Sequence, residues 1–187
     1  MTAQNIIKHS PFQELLIVDI GGTVASGYAG KLFADYGARV VNLEPPQGFS
    51  TRRIEPLLNN GNSAIHAYLH ANKESVCCDE PLTSHPAIAA ADLVLLDITT
   101  LPPSVSVDDF DANVCAISWY GLNGPYADFN GSDASIYALT GLMQGVGESQ
   151  GPPIIPTGYQ TQIVGGLSAF NGAAGYLLGQ HLKGDDK

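Results

Sequence analysis

The segment Leu15–Ile20 is a nearly continuous apolar run that ends directly in Gly21-Gly22. A strand with one wet face alternates apolar and polar residues, whereas a strand covered on both faces reads as a run. The glycine pair then supplies the tight turn that must follow. Ala29, Leu32, Phe33 and Tyr36 recur at helical spacing, and Gly37 offers a C-terminal stop. Arg39–Leu43 is a second strand, closed by Glu44-Pro45-Pro46. A buried strand, a helix and a second buried strand form one unit that can be satisfied only in a sheet with its faces covered.

The same alternation continues down the chain. Ser75–Cys78, Leu93–Ile98 and Val114–Trp119 read as strands, and Ser63–His70, Pro86–Ala91, Asp133–Met143 and Gln162–Leu182 as helices, with Asn62 as N-cap of the first. This pattern predicts an α/β, Rossmann-like architecture: a mainly parallel sheet with helices on both faces. At 187 residues the chain is read as one domain over residues 1–182, followed by a polar tail over 183–187. The last helix carries Gly165, Gly172 and Gly179 at seven-residue spacing, with Ala169 on the same stripe. Each glycine costs a helix roughly 1 kcal/mol relative to Ala, so the stripe is expected to pack against another helix, from a second copy or a missing part of the fold.

Composition narrows the function classes. Hydrophobic residues make up 44% and charged residues 14%, which excludes a disordered or coiled-coil chain. The net charge of −10 argues against nucleic acid and against an anionic membrane as partners, and it makes a phosphate-bearing ligand harder to hold. Cys77, Cys78 and Cys115 form no disulfide framework and no CxxC metal pair. Met1 to Ser10 has no apolar leader, and Ile163–Leu178 is short of the ~20 residues of a membrane span. A soluble cytoplasmic protein is the expectation.

Individual motifs carry little on their own. Val18-Asp19-Ile20-Gly21-Gly22-Thr23 resembles the phosphate loop of sugar kinases, but that fold follows the loop with a hairpin, and here a helical pattern follows. Gly21 to Gly27 does not fit G-x-G-x-x-G, so Glu44 reads as a plain strand-end carboxylate rather than a ribose ligand. His66 and His70 share a helix face, but without H-E-x-x-H or a third ligand they read as surface histidines rather than metal ligands. Cys77 and Cys78 read as core packing, and no nucleophile elbow is present. Composition and spacing alone therefore reach a fold and no activity.

Longer words say more. Tyr28-Ala29-Gly30, Phe33-Ala34-Asp35-Tyr36-Gly37-Ala38 and Val40 to Glu44-Pro45-Pro46 come first, then Asn72-Lys73-Glu74-Ser75. Tyr120-Gly121, Gly124-Pro125-Tyr126-Ala127-Asp128 and Ala138-Leu139-Thr140-Gly141-Leu142-Met143 follow, then Gly147-Glu148 and Gly151-Pro152-Pro153, running into Gly166-Leu167. In this order, over nearly the whole chain, they resemble the class III CoA-transferases, the family of formyl-CoA and carnitinyl-CoA transferases and methylacyl-CoA racemases. The resemblance implies a Rossmann-like large domain, two interlocked subunits, and a chain corresponding to the N-terminal half. It implies CoA or an acyl-CoA as ligand, no tightly bound cofactor and no metal. If CoA binds, it is expected outside the carboxyl ends of the strands, with Val24, Ala25, Pro45, Arg52 and Lys73 as candidate contacts, Arg52 and Lys73 reading equally as solvated surface charges.

The resemblance also marks departures. Family transferases place a nucleophilic aspartate shortly before the Gly-Leu of the last helix, and Gln162 stands at that position. A carboxamide cannot act as the carboxylate nucleophile. The racemase histidine is Ser132, the N-F-R-P-G motif is replaced around Asp97-Ile98-Thr99-Thr100-Leu101-Pro102, and the arginine of the first turn is Gly22. Three readings result: a working acyl-CoA transferase, complete in another form or completed by a partner, a truncated or non-catalytic CoA-binding module, or a scaffold-only assembly protein that has lost CoA binding.

Overall fold

The computed structural model describes residues 10–79, 82–148 and 150–184. Five parallel strands form one sheet in the order β3-β2-β1-β4-β5: β1 Leu16–Asp19, β2 Arg39–Glu44, β3 Glu74–Cys77, β4 Leu93–Asp97 and β5 Val114–Ile117. Every expected strand is present with its ends moved by one or two residues, and the sheet is parallel throughout. The central pairing sets Val18 against Val41 on one side and Val94 on the other. No hairpin follows Gly22. Helix α1 (Val24–Asp35) starts there, with Thr23 and Ser26 forming a reciprocal capping box.

The pleat divides the core in two. Ile17, Val40, Leu93 and Leu95 face α1 and the long C-terminal helix α5 (Gln160–Lys183), burying Phe33, Ala29 and Ala173. Val18, Val41, Leu43, Val94 and Leu96 face the other way, onto Ile88 of the short helix α3 (Pro86–Ala90) and onto Phe110. The α1/α5 side is sealed at one end by four rings: Phe33 and Phe170 meet edge-on at 4.8 Å, and Phe12 and Tyr36 close around them.

Two local expectations change. Helix α2 (Ala64–Leu69) is capped by Ser63, whose Oγ accepts from His66 N, and not by Asn62. The segment expected as one helix from Asp133 to Met143 is α4 (Asp133–Leu139) followed by a separate 3-10 turn at Leu142–Gly145. Gly141 breaks it, at φ +74°, in the left-handed region. Apart from the glycine stripe, helices α1 and α5 cross closely through Gly166, where an added Cβ would collide with the Ala25 carbonyl oxygen. Gly165, Gly172 and Gly179 meet nothing within 4 Å. Of the expected tail, residues 185–187 lie outside the described residues, while Lys183 ends α5 and Gly184 caps it.

Candidate functional site

Open parallel sheets hold ligands outside the carboxyl ends of their strands, where the strand order reverses. Here that point lies between β1 and β4, and a cleft of about 640 Å³ opens there. The Gly21-Gly22 turn forms its floor, the Pro45 to Arg53 loop one wall, and Cys78, Thr100 and Val105 the other. Gly22 sits at φ +62°, with the Phe49 ring where a side chain would be. The missing arginine of the first turn is thus excluded twice, by backbone conformation and by space. At the end of β4, Asp97 accepts from Thr99 N and Oγ1 and from Thr23 Oγ1 at 3.0 Å, tying the turn after β4 to the start of α1.

Beneath the 45–53 loop lies a buried polar layer. Glu44, at the end of β2, accepts from Arg52 Nε at 2.6 Å, Ser75 Oγ at 2.5 Å and Phe49 N at 3.0 Å. Burial pushes the Glu44 carboxyl up, but these donors and the Arg52 charge outweigh it and hold the group at about 2. Lys73 has no exposed side-chain surface: its Nζ lies 3.4 Å from Asp19 and 2.9 Å from the Gly27 carbonyl. Burial pulls that ammonium down while Asp19 opposes the shift.

The histidines join this layer. His70 Nδ1 faces Asn42 Nδ2 at 2.9 Å and Lys73 Nζ at 3.4 Å. Two donors there assign the ring proton to Nε2, which donates to Thr51 Oγ1; Thr51 in turn donates to His66 Nδ1 at 2.9 Å. Burial, followed by the Lys73 and His66 charges, drives His70 down to about 2. The histidine pair, expected on the surface, is therefore partly buried with ring centroids 4.3 Å apart. Cys78 is buried as expected, but Cys77 is exposed: it ends the edge strand β3, all of whose residues are exposed. Among the described residues no group of three or more His, Cys, Asp or Glu is placed to hold a metal.

Gln162 lies in the first turn of α5. Its Nε2 donates to Asp133 Oδ2 at 3.0 Å, and Asp133 Oδ1 accepts from Thr161 N at 3.0 Å and from the Thr161 hydroxyl. Asp133 thus binds the free amides at the N-terminus of α5 while starting α4. Ser132, where the resemblance puts the racemase histidine, is the N-cap of α4.

The six residues expected at a ligand are dispersed. Pro45 lines the cleft, Val24 and Ala25 are buried on α1, Arg52 and Lys73 are held in ion pairs, and Gln162 faces Asp133. Spacing could not separate Arg52 from Arg53. Only the fold shows that Arg53 lines the cleft, with Nη1 on the Gln47 carbonyl at 3.0 Å.

The sequence profile of CoA-transferase family III matches residues 12–92 and 114–186. The chain belongs to this family. It is 27% identical to the succinate–glutarate CoA-transferase of Agrobacterium fabrum, over 79% of this chain and 42% of that one. It is 25% identical to the acetyl-CoA:oxalate CoA-transferase of Acetobacter aceti, over 93% of this chain and 48% of that one. A CAIB/BAIF family protein from Brucella suis superposes with a TM-score of 0.78 at 25% identity, over 94% of this chain and 51% of that one. The chain therefore spans about half the length of the relatives it matches. Among the described residues no helix is long and apolar enough to cross a membrane.

Proposed function

We propose that this CoA-transferase family III chain is a non-catalytic CoA-binding module: it offers a CoA thioester the cleft at the strand ends and forms no acyl adduct. The observation that carries the second half is Gln162. A carboxamide cannot attack a thioester to make an anhydride, and here its Nε2 is engaged by the Asp133 carboxylate at 3.0 Å. The first half is supported by the cleft's position, by Pro45 on its wall, and by Arg53, the cation among its described walls. In this reading Arg52 and Lys73 shape the loop and α1 from below, and Val24 and Ala25 anchor the start of α1 beside the Gly21-Gly22 floor.

Calorimetry with CoA tests the binding half, and micromolar affinity is the expected result. Mixing the chain with succinyl-CoA, treating with hydroxylamine and weighing the protein tests the other half. An acyl-enzyme that hydroxylamine releases would overturn the non-catalytic reading.

One observation favours the alternative of an assembly protein. Val164 is 60% exposed, Leu178 58% and Leu182 76%, all on the α5 face turned away from α1. Apolar area of that kind on a water-soluble protein marks an interface, here with a second copy or with a partner supplying the other half of the family fold. Light scattering distinguishes the two: a dimer that binds no CoA supports the assembly role, and a 19.6 kDa monomer at high concentration removes it.

A further inference from the structure

In a parallel sheet of this kind the usual seat for a phosphate is the N-terminus of the helix after the first strand, where free amides meet the glycine turn. Here the chain's own side chains occupy that seat. Asp19 accepts from Gly21 N at 3.0 Å, while Thr23 N donates to Ser26 Oγ at 3.2 Å and Ser26 N to Thr23 Oγ1 at 3.3 Å. Asp97 stands beside them, 3.0 Å from Thr23 Oγ1, and its partners are two hydroxyls and an amide with no cation among them. A phosphate brought to the Gly21-Gly22 floor would therefore meet a carboxylate and three amides already engaged.

The rest of the cleft offers one cation. Among the described residues Arg52 holds Glu44 with two nitrogens at 2.6 and 2.5 Å, Lys73 is buried against Asp19, Lys31 and Arg39 are paired with Asp35 and Glu74, and Lys183 ends α5. Arg53 lines the cleft, and so does Asp79. CoA brings a diphosphate and, on its ribose, a phosphate monoester that is close to doubly charged at neutral pH. One guanidinium makes one two-pronged pair, so with the diphosphate on Arg53 the ribose phosphate finds carboxylates and no cation among the described walls. The net charge of −10 adds to that repulsion, and water and salt weaken it without changing its sign. Resting on the CoA reading, we infer that the cleft is specific for the dephospho form of the ligand, with Arg53 as its phosphate partner and Asp79 and Asp97 selecting against the ribose phosphate. The relatives named above are CoA-transferases, so this assignment separates the chain from them by ligand.

Calorimetry with CoA and with dephospho-CoA at low salt tests this. Dephospho-CoA is expected to bind at least about fivefold more tightly, and the gap is expected to close as salt is raised. Asp79→Asn, at an exposed position, should tighten CoA about twofold and dephospho-CoA less, and Arg53→Gln should weaken dephospho-CoA about tenfold. Equal or tighter binding of CoA overturns the inference and leaves the CoA reading standing. A gap that neither salt nor Asp79→Asn alters also overturns it, because the discrimination would then not be electrostatic. Binding of dephospho-CoA with none of CoA supports the inference and corrects the CoA reading; binding of neither rejects both.

Discussion

Gln162→Asp does more than add a carboxylate: it sets one beside Asp133, whose Oδ2 now accepts the Gln162 amide at 3.0 Å. Asp is one methylene shorter than Gln, so the two carboxylates lie further apart than that contact, but like charges this close still disfavour double ionisation and raise the pair's folded-state pKa. A carboxyl with a raised folded pKa favours the folded state at low pH and loses that support as pH rises through the shifted value. The variant should therefore be about 1–3 kcal/mol less stable than the parent at pH 8 and much closer to it at pH 5, read by urea denaturation. An equal loss at both pH values would mean that the carboxylates avoid each other. Lys73 gives a second test. Lys73→Met strands the Asp19 carboxylate, which is 0% exposed, and should cost about 3–5 kcal/mol, while Lys73→Met with Asp19→Asn together should recover a good part of it. Unfolding curves of the single and double variants decide, and two additive losses would show that the pair is not coupled.

Among the elements, the close crossing of α1 and α5 rests on one missing side chain. Gly166→Ala should cost about 1–3 kcal/mol, because the obstacle is the Ala25 carbonyl oxygen, a backbone atom that cannot swing aside. Gly172→Ala and Gly179→Ala meet open space and should each add about 0.5–1 kcal/mol through helix propensity. Thermal unfolding ranks all three, and loss of an oligomer in Gly172→Ala would instead place the stripe in an interface. The five strands were legible because burial on both faces removes alternation, and α1 because its spacing and Gly37 agreed. The crossing glycine was not, since Gly165 and Gly166 are adjacent and only the docking angle selects one. The polar layer was hidden for a different reason. Asp19, Asn42, Thr51, His70 and Lys73 come from four separate segments, and the signal on offer was a polar residue inside an apolar strand, Asp19 in β1 and Asn42 in β2. Both point to the α1 side of the sheet, where that layer lies.

For the molecule as a whole, the buried layer predicts a two-stage acid response. His70 is held neutral, with its pKa brought from 6.5 to about 2, so the unfolded chain binds a proton below pH 6.5 that the folded one refuses. Stability therefore falls as pH drops below 6.5, by up to about 1.4 kcal/mol per unit. Glu44, held at about 2 against its ordinary 4.5, withdraws its own contribution only as pH falls from 4.5 toward 2. The melting temperature should decline from pH 6.5 and more steeply below 4.5, and His70→Gln should flatten the first stage; a parent curve level from pH 7.5 to 5.5 would contradict this. The strand order also sets a schedule. Val18 of β1 meets Val41 after 23 residues of chain but Val94 only after 76, and α5 reaches α1 across more than a hundred. Loop closure makes the near contact cheap and the far ones slow. On a ribosome that releases the chain from its start, β1 pairs first with β2 and holds an open, hydrogen-bonding flank until residue 93 and its neighbours emerge. The centre of the finished sheet is thus, for much of synthesis, its edge.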